Sequence, residues 1–197
     1  MLRDAGRLRE GESVLVQAAG GGVGTLAVQP ARLAGAGVVV GTAGRPEKLK
    51  LVASPGADRA VDYTRQGWVD EVMAATGGGG MDMALEAVGG EIGAAAYEAL
   101  APLGRLVTYG AASGEGLRPP DMWQLNIKGQ TVSGYGGPWI RPGVAGRARE
   151  AISGHLRSGR LRVVEGASFP LAEAAEVHRV LESRATTGKV VLTVRDP

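Results

Sequence analysis

Residues 13–24 read Ser-Val-Leu-Val-Gln-Ala-Ala-Gly-Gly-Gly-Val-Gly, an apolar run that passes directly into a glycine-rich segment. The run Ser13–Ala18 has the length and the β-branched content of a buried strand, and the residues after Gly24 have a helical period. Three small residues, Ala19, Gly21 and Gly24, follow the spacing G-x-G-x-x-G, with alanine in the first place. This order of strand, glycine turn and helix predicts a βαβ unit that binds a dinucleotide.

Each small residue of this turn has its own physical task. The first permits the tight turn, Gly21 lets the main chain approach a pyrophosphate, and Gly24 lets the helix pack closely against the sheet. The amino terminus of the helix adds N–H groups and a partial positive charge. An ordinary glycine-rich turn is the alternative, but the position between strand and helix favours a phosphate site. The predicted contacts are Ala19, Gly20, Gly21, Gly22, Val23 and Gly24.

Beyond the turn, short β-branched runs alternate with alanine-rich segments of helical period. This alternation predicts an α/β protein, a Rossmann-type doubly wound parallel sheet of about six strands covered by helices. The predicted strands are Ser13–Ala18, Val38–Thr42, Arg59–Tyr63, Met81–Val88, Arg105–Gly110 and Gln130–Gly134. The predicted helices between them are Gly22–Ala34, Pro46–Ala53, Gly67–Ala75, Gly90–Ala101 and Asp121–Ile127.

The pattern changes in the last third of the chain. We therefore expect a dinucleotide-binding domain over residues 1–160 and a small C-terminal αβ appendage over residues 161–197. The predicted elements here are a helix at Val144–Leu156, a strand near Leu161–Val164, a helix at Leu171–Arg184 and a strand at Lys189–Val194. The predicted helix Leu171–Arg184 has an apolar stripe, which either docks onto another chain or packs on its own sheet. The stripe consists of Leu171, Ala175, Val177, His178, Val180 and Leu181.

Composition excludes several classes of protein. Apolar residues make up 44% of the chain, yet no apolar run approaches the ~20 residues that span a bilayer, and the charged start of the chain has no export signal. We expect a soluble, cytoplasmic protein. The sequence has no cysteine, which excludes thiolate catalysis and cysteine-bound zinc within these 197 residues. A net charge of +2 without a basic block gives no indication of nucleic-acid binding.

The end of the second predicted strand indicates which dinucleotide binds. A site that prefers NAD places an acidic residue there, about 20 residues after the glycines, to hold the ribose 2′-hydroxyl. No acidic residue occurs between Gly24 and Glu47. Instead Thr42, Arg45 and Lys48 offer a hydroxyl and two cations to a 2′-phosphate, which favours NADPH. The alternative is that the two cations are solvated residues at the start of a helix.

Several stretches together resemble the quinone oxidoreductase branch of the medium-chain dehydrogenase/reductases, the zeta-crystallin-like, zinc-independent enzymes. The likeness covers nearly the whole chain. The matching stretches are Gly11–Val16 leading into Ala18–Gly24, Val39–Ala43, Gly56–Asp58, Ala60–Tyr63, Gly104–Val107 with Tyr109-Gly110, and Gly188–Leu192.

The resemblance implies specific contacts and a reaction. Gly20 to Val23 correspond to the pyrophosphate turn, and Gly44, Lys48 and Tyr63 correspond to the surroundings of the 2′-phosphate in members that use NADPH. Tyr63 could instead pack over a neighbouring helix. The segment beside the nicotinamide ribose corresponds to Tyr109, Gly110, Ala111 and Ala112. The implied reaction is hydride transfer from NADPH to a quinone or an α,β-unsaturated carbonyl.

Three departures from the family pattern stand out. Family members begin with a GroES-like catalytic domain, which has no counterpart here, so we expect a truncated relative. Pro30 falls inside the first predicted helix, where a proline can cost ~3 kcal/mol and kink the helix. Pro55 likewise replaces an expected aliphatic residue.

The alternatives to a quinone reductase are a non-catalytic NADPH-binding module, one half of a split oxidoreductase, or an enoyl reductase module of a larger synthase.

No side chain is predicted to act as an acid or a base. His155 and His178 lie on helices far along the chain from the glycine turn, and Asp82 and Glu86 are interpreted as strand-end residues. Hydride transfer needs no such group, because the cofactor carries the chemistry. The expected partners are a small-molecule substrate and either a second copy, paired through the edge strand Gln130–Gly134, or a separate chain that covers the appendage.

Overall fold

A computed structural model describes residues 1–53, 56–136 and 142–194 of the chain. Its main sheet consists of β1 Ser13–Val16, β2 Val38–Ala43, β3 Arg59–Asp62, β4 Met81–Glu86, β5 Leu100–Thr108 and β6 Thr131–Gly134. All neighbours in this sheet are parallel, and the spatial order is β3-β2-β1-β4-β5-β6. The order reverses between β1 and β4, which confirms the Rossmann-type doubly wound sheet.

Helices cover both faces of this sheet. The helices that the structure describes are α1 Gly24–Leu33, α2 Pro46–Ala53, α3 Trp68–Met73, α4 Gly90–Ala95, α5 Met122–Lys128, α6 Pro142–Arg157 and α7 Ala174–Glu182, with short 3-10 turns at Ala74–Thr76 and Leu171–Glu173. Alternate residues of each strand face opposite sides. Val14 and Val39 therefore pack with Val28 of α1, whereas Leu15 and Val40 pack on the side of α3 and α4.

The last part of the chain forms a second, two-stranded sheet of β7 Glu165–Pro170 and β8 Lys189–Thr193, which pair in parallel. This part contacts the main domain beside the glycine turn, where the Gly188 N–H donates to the Gly20 carbonyl at 3.0 Å. Gln29 of α1 also exchanges hydrogen bonds of 2.9 and 3.0 Å with the main chain of Arg162. The carboxyl-terminal strands therefore lie against the dinucleotide motif.

The apolar stripe on α7 and its preceding turn is divided between two environments. Val177 is buried, and Val180 is half-buried. Leu171 and Leu181 stay 51% and 45% exposed. Part of the stripe thus packs on its own chain, and part of it remains open for a partner.

The structure corrects two predicted elements. The strand expected near Leu161–Val164 is wrong, because the Leu161 N–H donates to the His155 carbonyl after α6 and the main chain of Arg162 pairs with a side chain. The helix expected over Gly90–Ala101 is too long. It ends at Ala95, and the fifth strand, predicted as Arg105–Gly110, already begins at Leu100, which pairs with Met81 at the start of β4.

Pro30 does not end the first helix. α1 continues across it to Leu33, and the Pro30 carbonyl accepts the Ala34 N–H at 2.9 Å. Pro55 lies outside the described residues. Among the helices that the structure describes, none has the length and apolar content needed to cross a membrane.

Candidate dinucleotide-binding site

The glycine turn connects the end of β1 to α1 at the carboxyl edge of the sheet. Ala18 adopts a left-handed conformation, with φ of 50°, and its carbonyl accepts the Gly21 N–H at 3.0 Å. A Cβ on Gly24 would lie 2.3 Å from the Ala18 carbonyl oxygen and 2.5 Å from the Cα of Ala19. The fold itself therefore requires glycine at position 24, because the helix crosses the strand end at main-chain contact distance.

The surrounding main chain leaves more room for a side chain at Gly21 than at Gly24. A Cβ on Gly21 would meet one atom within 4 Å, the Ala18 carbonyl oxygen at 3.3 Å, and the residue does not have a positive φ. α1 then begins without a side-chain cap or an acidic residue in its first turn, and Val23 is 41% exposed. The first amides of such a helix are suited to an anionic ligand. The turn therefore fits a pyrophosphate.

A lysine from the carboxyl-terminal sheet lies beside this turn. A Cβ on Gly22 would come within 2.9 Å of Cδ and 3.3 Å of Cε of Lys189. Lys189 was not predicted as a site residue, because it lies in a different sheet. Its position brings an ammonium-bearing side chain to the predicted pyrophosphate turn.

The predicted 2′-phosphate residues gather at the ends of β2 and β3. The ring of Tyr63 lies over Gly44, since a Cβ on that glycine would be 2.6 Å from the ring. Lys48 packs against the glycine turn, with its Cβ 2.7 Å from the place where Gly20 would carry one. Arg45 is exposed next to them, at the start of α2. The structure thus brings all four predicted residues to one edge of the sheet.

Arg184 joins this group, and the sequence reasoning missed it. The Nζ of Lys48 donates to the Arg184 carbonyl at 2.7 Å, across 136 positions of sequence. Arg184 follows α7 in a left-handed conformation, with φ of 57°. No local pattern indicates such a contact, because it depends on how the second sheet packs beside the glycine turn.

The electrostatics of the group favour an anion. Burial lowers the pKa of Lys48 from its usual value, and the charges of Arg45 and Arg184 lower it further, although Glu47 opposes them. Burial raises the pKa of Tyr63, whose environment also includes Arg184. A phosphate dianion placed beside Lys48 would favour its charged form and offset the effect of the two arginines. We refer to the three cations Arg45, Lys48 and Arg184, together with the neighbouring Tyr63, as the cation cluster.

Thr42 differs from its neighbours in the predicted set. Its side chain is fully buried, and its hydroxyl has no hydrogen-bond partner among the described residues. Its carbonyl accepts the Ala19 N–H at 2.8 Å, which joins the end of β2 to the glycine turn. Thr42 therefore lies beneath the site surface, and its contact with a cofactor stays a prediction.

The predicted nicotinamide segment follows β5 on the same edge of the sheet. Tyr109 is half-buried, whereas residues 110–112 are exposed. The Tyr109 N–H donates to the Glu86 carbonyl at 2.9 Å, and burial raises the pKa of its phenol, with the charge of Glu86 adding to the effect. The glycine turn, the cation cluster and this segment thus share the carboxyl edge where open α/β sheets bind ligands. His155 and His178 lie on α6 and α7, outside these three segments.

Residues 22–141 match the family described as zinc-binding dehydrogenase. The chain is 33% identical over 201 residues to a quinone oxidoreductase of Pseudomonas aeruginosa, a match that covers 98% of the chain and 59% of that relative. The chain therefore spans somewhat more than half the length of this curated relative.

Two solved structures of related enzymes superpose on nearly the whole chain. An NAD-dependent alcohol dehydrogenase superposes with a TM-score of 0.89 at 35% identity, covering 99% of this chain and 55% of its own. Escherichia coli quinone oxidoreductase, complexed with NADPH, superposes with a TM-score of 0.86 at 27% identity, covering 97% of this chain and 60% of its own. The two are described with different nicotinamide cofactors, so the choice between them depends on this chain's own residues.

The family description mentions zinc, and the residues present here do not fit that metal. The sequence has no cysteine. Within residues 1–53, 56–136 and 142–194, no group of three or more histidine, aspartate or glutamate side chains comes together as a metal site would require. No step proposed below uses zinc.

Proposed function

Because the chain belongs to the zinc-binding dehydrogenase family, in its quinone oxidoreductase-like branch, we propose that it is the cofactor-binding part of an NADPH-dependent quinone reductase. The observation that carries the proposal is the cation cluster. It lies on the same sheet edge as a glycine turn that leaves room for a pyrophosphate. NADPH is the cofactor that such a site binds, because its 2′-phosphate supplies the anion that the cluster lacks.

The residues of the chain bind and orient the cofactor in three places. The glycine turn and the start of α1 hold the pyrophosphate, the cation cluster holds the 2′-phosphate, and residues 109–112 lie along the nicotinamide ribose. The bound cofactor supplies a hydride, which together with a proton reduces a quinone to a hydroquinone or an α,β-unsaturated carbonyl to its saturated form. No side chain of the chain is assigned as the general acid, and the proton comes from solvent or from a substrate-side wall.

A non-catalytic NADPH-binding module, or one half of a split oxidoreductase, is the second candidate. One observation favours it, namely the open apolar surface of the carboxyl-terminal part. Leu171, Leu181 and Val191 are 51%, 45% and 39% exposed, as expected for a surface that another domain or chain covers. Such a partner would supply one wall of the substrate cleft.

The two functions differ in a simple assay. The purified chain is mixed with NADPH and a panel of quinones and enones, and both NADPH fluorescence and NADPH consumption are followed. Steady consumption with at least one acceptor supports the reductase. Fluorescence enhancement without consumption supports the binding module, and the absence of both contradicts the two proposals.

The preference for NADPH over NADH should fall at alkaline pH. Free Lys48 has a pKa below its usual 10.5, and a neighbouring phosphate would raise it, so NADPH binding takes up a proton. Affinity for NADPH should therefore be lower at about pH 10 than at about pH 7, because the lowered pKa leaves less of Lys48 charged at the higher pH. Fluorescence titrations with NADPH and NADH at both values measure the ratio. In Lys48→Arg, whose guanidinium stays charged, the ratio should be nearly flat, and an equally steep fall in that variant would contradict this role.

We also propose that two copies pair through the open edge of the main sheet. Among the described residues β6 is the last strand of the main sheet, and α5, which precedes it in the chain, exposes Met122, Trp123 and Ile127 by 71%, 69% and 67%. An exposed edge beside a large apolar surface is a ready pairing site.

A charge on that edge should separate the copies. Val132 of β6 is 37% exposed, so the Val132→Lys variant should still fold. Its charge should shift the protein from dimer to monomer. Light scattering coupled to size-exclusion chromatography measures the mass. Leu33→Lys, at an α1 position that is 39% exposed, is the matched control and should stay dimeric. A parent chain that is already monomeric at all concentrations would contradict the pairing.

A further inference from the structure

Glu86 ends β4 as a fully buried carboxylate with an unusual set of partners. Its Oε1 accepts the main-chain N–H groups of Val88 at 2.5 Å and Gly89 at 2.6 Å, and its Oε2 accepts the Thr108 hydroxyl at 3.0 Å. In the part of the chain that the structure describes, no lysine or arginine forms an ion pair with it. Burying a carboxyl group costs free energy unless hydrogen bonds compensate, and these three donors provide that compensation.

What the carboxylate holds is the loop of residues 87–90. Gly89 in this loop has a φ of 75°, and a Cβ on it would lie 1.9 Å from the Glu115 carbonyl oxygen. The loop therefore follows a path that only glycine allows, pressed directly against the segment that follows β5. The two N–H groups that donate to Glu86 fix that path, because they belong to the consecutive peptide groups on either side of the Val88 Cα.

The loop in turn carries the segment of residues 111–116. The Ala112 N–H donates to the Ala87 carbonyl at 2.8 Å, and the Ser113 N–H donates to the Val88 carbonyl at 2.8 Å. The Gly90 N–H donates to the Gly116 carbonyl at 3.1 Å, which closes the contact from the other end. Three main-chain hydrogen bonds thus transmit the position of the 87–90 loop to an otherwise exposed segment.

We propose that Glu86 is a positioning residue, whose carboxylate sets residues 110–112 against the nicotinamide half of the cofactor through the 87–90 loop. The inference rests on the proposed function, because that function places the nicotinamide ribose beside this segment. Glu86 does not touch the cofactor. Its effect depends on the reach of its two oxygens and not on its charge.

Two conservative variants separate reach from charge. Glu86→Gln keeps the reach and loses the charge, since its carbonyl oxygen can accept both N–H groups and its amide can donate to the Thr108 hydroxyl. Glu86→Asp keeps the charge but is one methylene shorter, so it cannot hold the loop in the same place. Both changes remove little volume from the core, which allows the full chain to fold.

The test compares two ligands, NADPH and adenosine 2′,5′-bisphosphate, which lacks the nicotinamide half. With Glu86→Asp we expect NADPH to bind roughly tenfold more weakly, adenosine 2′,5′-bisphosphate to bind as in the parent, and the amides of residues 111–116 to exchange hydrogen faster. With Glu86→Gln we expect both affinities to stay within about threefold of the parent.

Other results overturn the inference. Parent-like NADPH binding by Glu86→Asp, an equal loss for both ligands, or a larger loss in Glu86→Gln than in Glu86→Asp would each do so. The first two exclude positioning of the nicotinamide half, and the third assigns the effect to charge. If the parent chain binds neither ligand, the proposed function fails, and the inference fails with it. If the parent binds both ligands, the proposed function holds, and the two variants decide whether Glu86 positions the nicotinamide half.

Discussion

Gly21→Ala is expected to weaken NADPH binding by about a hundredfold while changing the free energy of unfolding by less than about 1 kcal/mol. In the free chain, a Cβ at this position meets only the Ala18 carbonyl oxygen, at 3.3 Å. With NADPH bound, the same methyl group would stand where the pyrophosphate approaches the main chain. Overpacking of that kind costs about 1–3 kcal/mol, and 1.4 kcal/mol corresponds to a factor of ten in affinity.

Gly24→Ala is the matched control. Its Cβ would lie 2.3 Å from the Ala18 carbonyl oxygen and 2.5 Å from the Ala19 Cα, both atoms of the main chain. We expect this variant to lose about 2–3 kcal/mol of stability, which is a drop of several degrees in Tm. Calorimetric titration and thermal unfolding measure both quantities. Equal affinity losses with equal stability losses in the two variants would contradict a pyrophosphate at Gly21.

Arg184→Glu is expected to weaken NADPH binding by about a hundredfold, because the change replaces an attraction to the 2′-phosphate by a repulsion. NADH has no phosphate at that position, so its affinity should change by less than about threefold. Arg184 meets Lys48 through its own carbonyl group, which the substitution retains. The loss should therefore come from the side-chain charge and not from a displaced turn.

Titrations of the parent and the variant with both cofactors test this assignment. Arg45→Glu, on the other side of the cation cluster, should show the same selective loss. Arg160→Glu, at an exposed position outside the cluster, should leave both affinities unchanged. If Arg184→Glu and Arg45→Glu bind NADPH as tightly as the parent, the 2′-phosphate lies elsewhere.

The main sheet could be predicted from sequence because its evidence is local. Five of the six strands contain β-branched residues, the helices have a 3.6-residue period, and the glycine turn follows β1 at a fixed spacing. The predicted strand near Leu161–Val164 failed for a non-local reason. The main chain there bonds to α6 and to Gln29, and no short stretch of sequence indicates those partners.

In the candidate site, too, local signals could be predicted from sequence and long-range contacts could not. Gly44, Arg45 and Lys48 follow β2 directly, so the sequence places them at the strand end. Arg184 reaches the group from 136 positions away. Glu86 was predicted only as a strand-end residue, because its importance depends on burial and on two main-chain donors that appear once the 87–90 loop has folded.

The central claim is that the glycine turn and the cation cluster together hold NADPH. The most direct test is a crystal structure of the full chain grown with NADPH. It should show the pyrophosphate against the amides of residues 20–24 and the 2′-phosphate among Arg45, Lys48 and Arg184. A pyrophosphate bound elsewhere, or a 2′-phosphate that points away from all three cations, would contradict it.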